Sequence, residues 1–233
     1  MHGENPWEEW ANTAIGPDGE LRSGWLLENA PYAARVPKEH SETAWLTTRG
    51  IEYIEEQSTK DQPWLCHLSY IKPHWPYLVP APYNDMYNAA DVPPVNRSEA
   101  ERQSDHPLMQ AWMNMRVSQS FSRDEVRDIV APVYMGLIKE LDDQMGRLLT
   151  YLKDSGRMHD TMIVFCSDHG DNMGDHWMGE KDLFHDSSAR VPMIVYDPRP
   201  EADPTRGTQS DALIEGIDLA PTFIELFLSL IHI

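Results

Sequence analysis

The stretch from Thr161 to Tyr196 limits what this chain can fold into more than any other. It opens on Met162-Ile163-Val164-Phe165-Cys166, a run short and β-branched enough for a buried strand. The run breaks abruptly at Ser167-Asp168-His169-Gly170-Asp171. A second apolar run, Val191 to Tyr196, follows, so the stretch reads strand, polar loop, short helix, strand. Between the runs lie the acids Asp168, Asp171, Asp175, Glu180 and Asp182, the histidines His169, His176 and His185, and Lys181. Ligands of open α/β sheets collect just beyond the carboxyl ends of strands, which is where Asp168 and His169 stand. A carboxylate and an imidazole together suit a hard or borderline cation. Gly170 and Gly174 permit the close backbone approach that such a loop needs. An acidic surface loop with a capping aspartate would read the same way.

The chain before this stretch supplies helices and one unusual loop. Met1 to Val36 has no clear period and reads as loop. Ser41 to Gln57 fits a helix capped by Ser41, with Ala44, Leu46, Ile51, Tyr53 and Ile54 on an approximate apolar face. Pro63 to Tyr70 has the look of a strand. It runs into Ile71-Lys72-Pro73-His74-Trp75-Pro76-Tyr77, where two prolines around a histidine stop any helix and present His74 just past a strand end. Lys72 and His74 make a second cation-and-imidazole pair, whose plainer reading is a surface turn. Val79 to Ser122 is too long for a structureless loop and reads as an excursion over the active face.

From Ser122 to about Asp154 apolar residues recur at three- and four-residue steps, which predicts a long helix capped around Ser122. Pro132 kinks it or divides it in two, and Gly156 stops it. A further helix begins near Asp218, with Pro221 in its first turn. The chain ends on the apolar string Phe227 to Ile233, which reads as a truncated or non-native tail after a domain of residues 1–226.

Composition excludes several function classes. The 38 acidic side chains against 19 basic ones give a formal charge of -19, with no Lys/Arg cluster for a nucleic-acid duplex. An anionic substrate would therefore need a locally positive site, made by a metal or a few cations. No apolar run approaches the length of a membrane span. The first residues lack the basic-then-apolar order of a signal peptide, which leads to the expectation of a cytoplasmic protein. Cys66 and Cys166 read as small buried hydrophobes and not as a disulfide framework. EF-hand and zinc-finger spacings are absent, as are HExxH, GxGxxG and GxSxG.

The run FCSDHGDNMGDHWMGEKDLFHDSSARVPMIVY closely resembles the C-terminal metal-site segment of the sulfatase family, in the alkaline phosphatase superfamily. Within that family it looks most like phosphonate monoester hydrolases and phosphodiesterases, then arylsulfatases. YIKPHWPY resembles the family's KPHxP loop, VYMGLIKELDDQMGRLLTYLKDSG the helix before the metal strand, and GIDLAPTFIEL the helix after it. The resemblance covers roughly residues 40 to 226 and implies an α/β fold, an alkaline-phosphatase-like mixed sheet flanked by helices.

It also implies site residues. Asp168 and His169 would be ligands of a divalent metal ion of the calcium, manganese or zinc class. Lys181 and His74 would meet the transferring group and the leaving oxygen, with Lys72 and His185 also binding substrate and Asp171 and His176 behind them. The family's nucleophile lies in Cys-x-Pro-x-Arg or Ser-x-Pro-x-Arg, its first residue oxidised to formylglycine, and its other metal acids follow the first strand. Neither motif occurs here. The expectation is thus a C-terminal fragment of the catalytic domain, its N-terminal strands missing and inactive by itself. The intact enzyme would hydrolyse a small anionic ester of sulfate, phosphonate or phosphate, and could form a homo-oligomer. A phosphatase or phosphodiesterase of the same superfamily is one alternative, and a non-catalytic metal-binding remnant another.

Overall fold

The computed structural model describes residues 6–228. The N-terminal part holds α1 (Pro6–Ala11), the strand pair β1 (Thr13–Ile15) and β2 (Leu21–Ser23), and α2 (Glu42–Ser58). After the proline loop come α3 (Glu99–Arg102), α4 (Pro107–Met113), α5 (Arg116–Phe121) and the long α6 (Asp124–Asp154). The last part holds β3 (Ile163–Cys166), α7 (Asp186–Ala189), β4 (Met193–Tyr196) and α8 (Leu219–Leu228). Residues 229–233 of the apolar tail lie outside the described residues.

The helix α6 is the axis of the molecule. Its 31 residues run roughly 46 Å. Val126, Val130, Val133 and Leu137 bury one side of its first half against Tyr77, Val79, Tyr83 and Phe121. Leu148 and Leu152 carry the same stripe further, onto Ile54 of α2 and onto Trp64, Cys66 and Leu68. Pro132 neither divides nor ends the helix; it sits buried inside one continuous element. Gly136 lets the backbone of Tyr83 approach, since a Cβ there would lie 2.2 Å from Tyr83 O. The start differs from the expectation. Arg123 takes the cap position without a side-chain bond, while the Ser122 hydroxyl donates to Ser118 O and Trp177 O, at 2.8 and 3.2 Å. Asp124 and Glu125 in the first turn complement the helix dipole instead. At the other end Gly156 adopts a left-handed φ of 73°, as a residue just past a helix stop must. Ser41 caps α2 as expected, accepting from Ala44 N at 3.2 Å.

The strands form two small antiparallel sheets, β1 with β2 and β3 with β4. The first is a correction, because the opening segment was read as loop. It is tied down by single-residue bridges from Ala14 to Ala34 and from Ala34 to Pro80. In the second sheet Ile163 pairs with Tyr196 and Cys166 with Met193. These strands are not buried as expected: Ile194 and Val195 are 61% and 55% exposed, and Cys166 is exposed as well. Pro63–Tyr70 makes no ladder among the described residues, because a strand needs a paired neighbour. Its burial nevertheless alternates: Trp64, Cys66, Leu68 and Tyr70 face inward, and Leu65, His67 and Ser69 outward. The architecture is a mixture of helices and two small sheets, consistent with an incomplete α/β domain. No helix among the described residues is long and apolar enough to cross a membrane.

Candidate active site

Beyond Cys166 the backbone turns sharply, and Asp168 and His169 fall at the carboxyl end of β3. Ser167 Oγ donates to His169 O at 2.8 Å, and His169 N to Asp168 Oδ1 at 3.0 Å. The ring of His169 is oriented by its Nδ1–H, which donates to Gly170 O at 2.8 Å. That bond fixes the tautomer and leaves the Nε2 lone pair 3.6 Å from Asp168 Oδ2. Gly170 then passes under α7: its N–H reaches Ser188 O at 2.7 Å, and a Cβ would lie 2.1 Å from Ser187 O. Only glycine fits there.

The proline-framed loop meets this turn from the other side. His74 Nδ1–H donates to Trp75 O at 2.7 Å, so Nε2 is again the acceptor. Lys181 Nζ donates to that Nε2 at 3.1 Å, across 107 residues of sequence. The rings of His74 and His169 lie edge to face with centroids 6.2 Å apart. Asp168, His169, His74 and Lys181 are therefore brought together, from the two ends of the β3–α7 loop and from the proline loop.

The other expected residues stand further back. Asp171 points into the protein, accepting from Tyr77 OH at 2.7 Å and from Met173 N at 3.0 Å. Burial pushes its carboxyl up, and burial with the adjacent Asp171 charge drives the Tyr77 phenol far above its ordinary range. Tyr134, edge-on to Tyr77, is pushed up to about 12 by burial. His176 and His185 stack on each other with centroids 3.9 Å apart. His176 Nδ1 bonds Glu101 at 2.7 Å, and burial with the neighbouring His176 pulls His185 down. This pair faces α3 and not Lys181. Lys72 turns inward to Pro76 O at 2.6 Å.

The excursion expected over the active face does lie against this loop. Asn96 N donates to Asp175 Oδ1 at 2.8 Å, His176 N to Asn96 O at 2.9 Å, and Trp177 Nε1 to Ser98 O at 2.7 Å. The guanidiniums of Arg97 and Arg102 sit 4.3 and 4.7 Å from the Trp177 ring. The loop needs such anchors, because Met173, His176, Trp177, Glu180 and Leu183 all have left-handed φ angles between 46° and 68°. Tyr77, Asn96, Glu101 and Ser187, whose hydroxyl donates to Asn172 Oδ1 at 2.6 Å, were not legible as site supports. Their partners lie 15 to 94 residues away, and only the adjacency of Tyr77 to the proline loop hinted at one of them.

Asp168 and His169 suit a divalent cation, since an exposed carboxylate and an imidazole lone pair point to one place. By themselves they are two donors only: among the described residues no group of three or more His, Cys, Asp or Glu side chains could hold a metal.

The sulfatase family model matches residues 8–229. The multifunctional alkaline phosphatase superfamily protein PehA of Trinickia caryophylli is 36% identical over 208 residues, which cover 82% of this chain and 39% of that protein. An arylsulfatase of Clostridium perfringens is 31% identical over 78% of this chain and 37% of its own length. Among solved structures, the phosphonate monoester hydrolase of Silicibacter pomeroyi superposes with a TM-score of 0.75 at 28% identity, covering 96% of this chain and 44% of that one. That of Agrobacterium radiobacter gives 0.68 at 31%, covering 85% and 42%. The chain thus spans about two-fifths of the length of these relatives.

Proposed function

Because this chain belongs to the sulfatase family, we propose that it carries the metal-edge and leaving-group side of a hydrolase of sulfate or phosphonate esters. The observation that carries the reading is the Lys181–His74 contact of 3.1 Å beside the Asp168–His169 pair. Asp168 and His169 would hold a divalent cation, together with ligands from outside this chain. When bound, that cation supplies Lewis-acid stabilisation of a sulfuryl or phosphoryl oxygen, worth several kcal/mol.

The chain's own residues do the rest. Lys181 Nζ presents a fixed positive donor to an ester oxygen that enters its contact with His74. His74 Nε2, the acceptor of that contact, would first take up a proton, for which Lys181 Nζ is the adjacent donor, and would then pass it to the departing oxygen. Proton transfer of this kind contributes on the order of 10²–10⁴-fold. The Trp75 carbonyl keeps the ring facing that way. Asp171, held by the Tyr77 hydroxyl, anchors the turn that bears Asp168 and His169.

No Cys-x-Pro-x-Arg or Ser-x-Pro-x-Arg run occurs in the 233 residues, and the chain spans two-fifths of its relatives. Both points support an N-terminal portion of the catalytic domain that carries the nucleophile and the remaining metal acids. The test uses the full-length gene product, assayed with 4-nitrophenyl sulfate and a 4-nitrophenyl phosphonate. Asp168→Asn should lower both turnover and bound divalent metal, and Lys181→Ala should lower turnover alone. Full activity in either variant would refute the reading. Metal retention without hydrolysis by the parent protein would favour a non-catalytic remnant.

A further inference from the structure

Lys72 shares the proline loop with His74, yet its ammonium points the other way. Nζ donates to Pro76 O at 2.6 Å and lies 3.5 Å from His74 O. These carbonyls bracket Trp75 O, the acceptor that orients the His74 ring. Lys72 lines a cavity of about 270 Å³ between the loop and helices α2 and α6, walled in part by Ser41, Glu42, Trp75 and Glu140. Glu140 is 2% exposed, and its Oε1 has no hydrogen-bond partner among the described residues. Burial pushes the Glu140 carboxyl up, against a Ser41 hydrogen bond and the Lys72 charge. Burial pulls the Lys72 amine down to about 8, against the charges of Glu140 and Glu42. A half-buried ammonium and a buried carboxylate persist together where each offsets the other's desolvation and where hydrogen bonds are made. The bonds that Lys72 makes go to the loop backbone.

We propose that Lys72 is a positioning residue for His74: braced over buried Glu140, it fastens the carbonyls around the ring so that Nε2 stays on Lys181. It does not touch substrate. The proposal rests on the reading that His74 and Lys181 meet the leaving oxygen.

The test compares Lys72→Met, the paired variant Lys72→Met/Glu140→Gln, and His74→Ala in the full-length protein. Each is assayed with a 4-nitrophenyl ester, whose leaving group needs little protonation, and with an alkyl ester of the same acid. A misplaced proton donor should lower kcat by about 10-fold or more for the alkyl ester and by less than about 3-fold for the nitrophenyl ester, with KM held within about twofold. Should Lys72→Met fail to fold because it strands the Glu140 charge, the paired variant, which removes both charges, carries the same readout. A rise in KM at constant kcat would mean direct substrate contact and would overturn the proposal, as would an equal fall for both esters. If His74→Ala discriminates between the esters and neither Lys72 variant does, the proposal alone fails. If His74→Ala does not discriminate, the reading of the site fails and takes the proposal with it.

Discussion

Replacing Gly170 by alanine should unseat the metal-edge turn, and the cost can be worked from the packing. The new Cβ would lie 2.1 Å from Ser187 O and 3.1 Å from Ser187 C, both backbone atoms that cannot swing aside. To reach ordinary contact the two segments must part by about 1 Å. Overpacking of this kind costs about 1–3 kcal/mol. The separation also breaks the 2.7 Å bond from Gly170 N to Ser188 O, worth about 0.5–1.5 kcal/mol net. Together the loss is roughly 2–4 kcal/mol. Gly146→Ala is the matched control: Gly146 is exposed on α6, and a Cβ there meets nothing within 4 Å. That change should stabilise by up to about 1 kcal/mol through helix propensity. The assay is urea unfolding of the full-length protein, with bound metal measured on the same samples. Gly170→Ala should lower the midpoint and the metal content, and Gly146→Ala should raise the midpoint and leave the metal alone. If both alanines behave alike, Gly170 does not pass under α7 as described.

Further outcomes follow from single contacts. Tyr77→Phe removes the hydroxyl bonded to buried Asp171 and should cost about 1–3 kcal/mol in urea unfolding. Lys139, and then the Tyr83 hydroxyl, hold the Asp143 carboxyl below its usual range. The unfolded chain therefore takes up this proton first, so Asp143 contributes stability above the ordinary carboxylate pKa that is lost as pH falls through its folded value. Asp143→Asn should flatten the stability–pH curve below about pH 4. Gly136→Ala should destabilise by about 1–3 kcal/mol, because its Cβ would meet Tyr83 O at 2.2 Å; an unchanged midpoint would contradict the close approach of that segment to α6.

Helices α2 and α6 were legible because their stripes are local: each apolar residue announces its neighbour three or four positions on. The strand at Pro63–Tyr70 was legible as a pattern and is absent as a ladder. Its alternation is set by packing on α2 and α6, whereas its hydrogen bonds depend on a neighbour. The hairpin of β1 and β2 was not legible, since each strand has three residues, too few to establish a period. Within the site, Asp168, His169, His74 and Lys181 each admit a bland reading when taken singly, and it is the resemblance of the whole segments that carry them which singles them out. The inward turn of Lys72 could not be foreseen, because it depends on Glu140, whose burial on α6 no local pattern marks.

The contacts that join the loops of the site also set an order of assembly. Tyr77 and Asp171 are 94 residues apart, Asn96 and Asp175 79, and His74 and Lys181 107. Helix α6 closes every one of its backbone bonds within a few residues. Contacts that require such large loops are rewarded only after their closure entropy has been met, so they form late and are the first to open. In native-state hydrogen exchange the amides of Gly170 and Asn172 should lose protection through a local opening that leaves Leu137 untouched. The chemistry would then reside in the last part of the protein to fold, resting on a helix that forms without it.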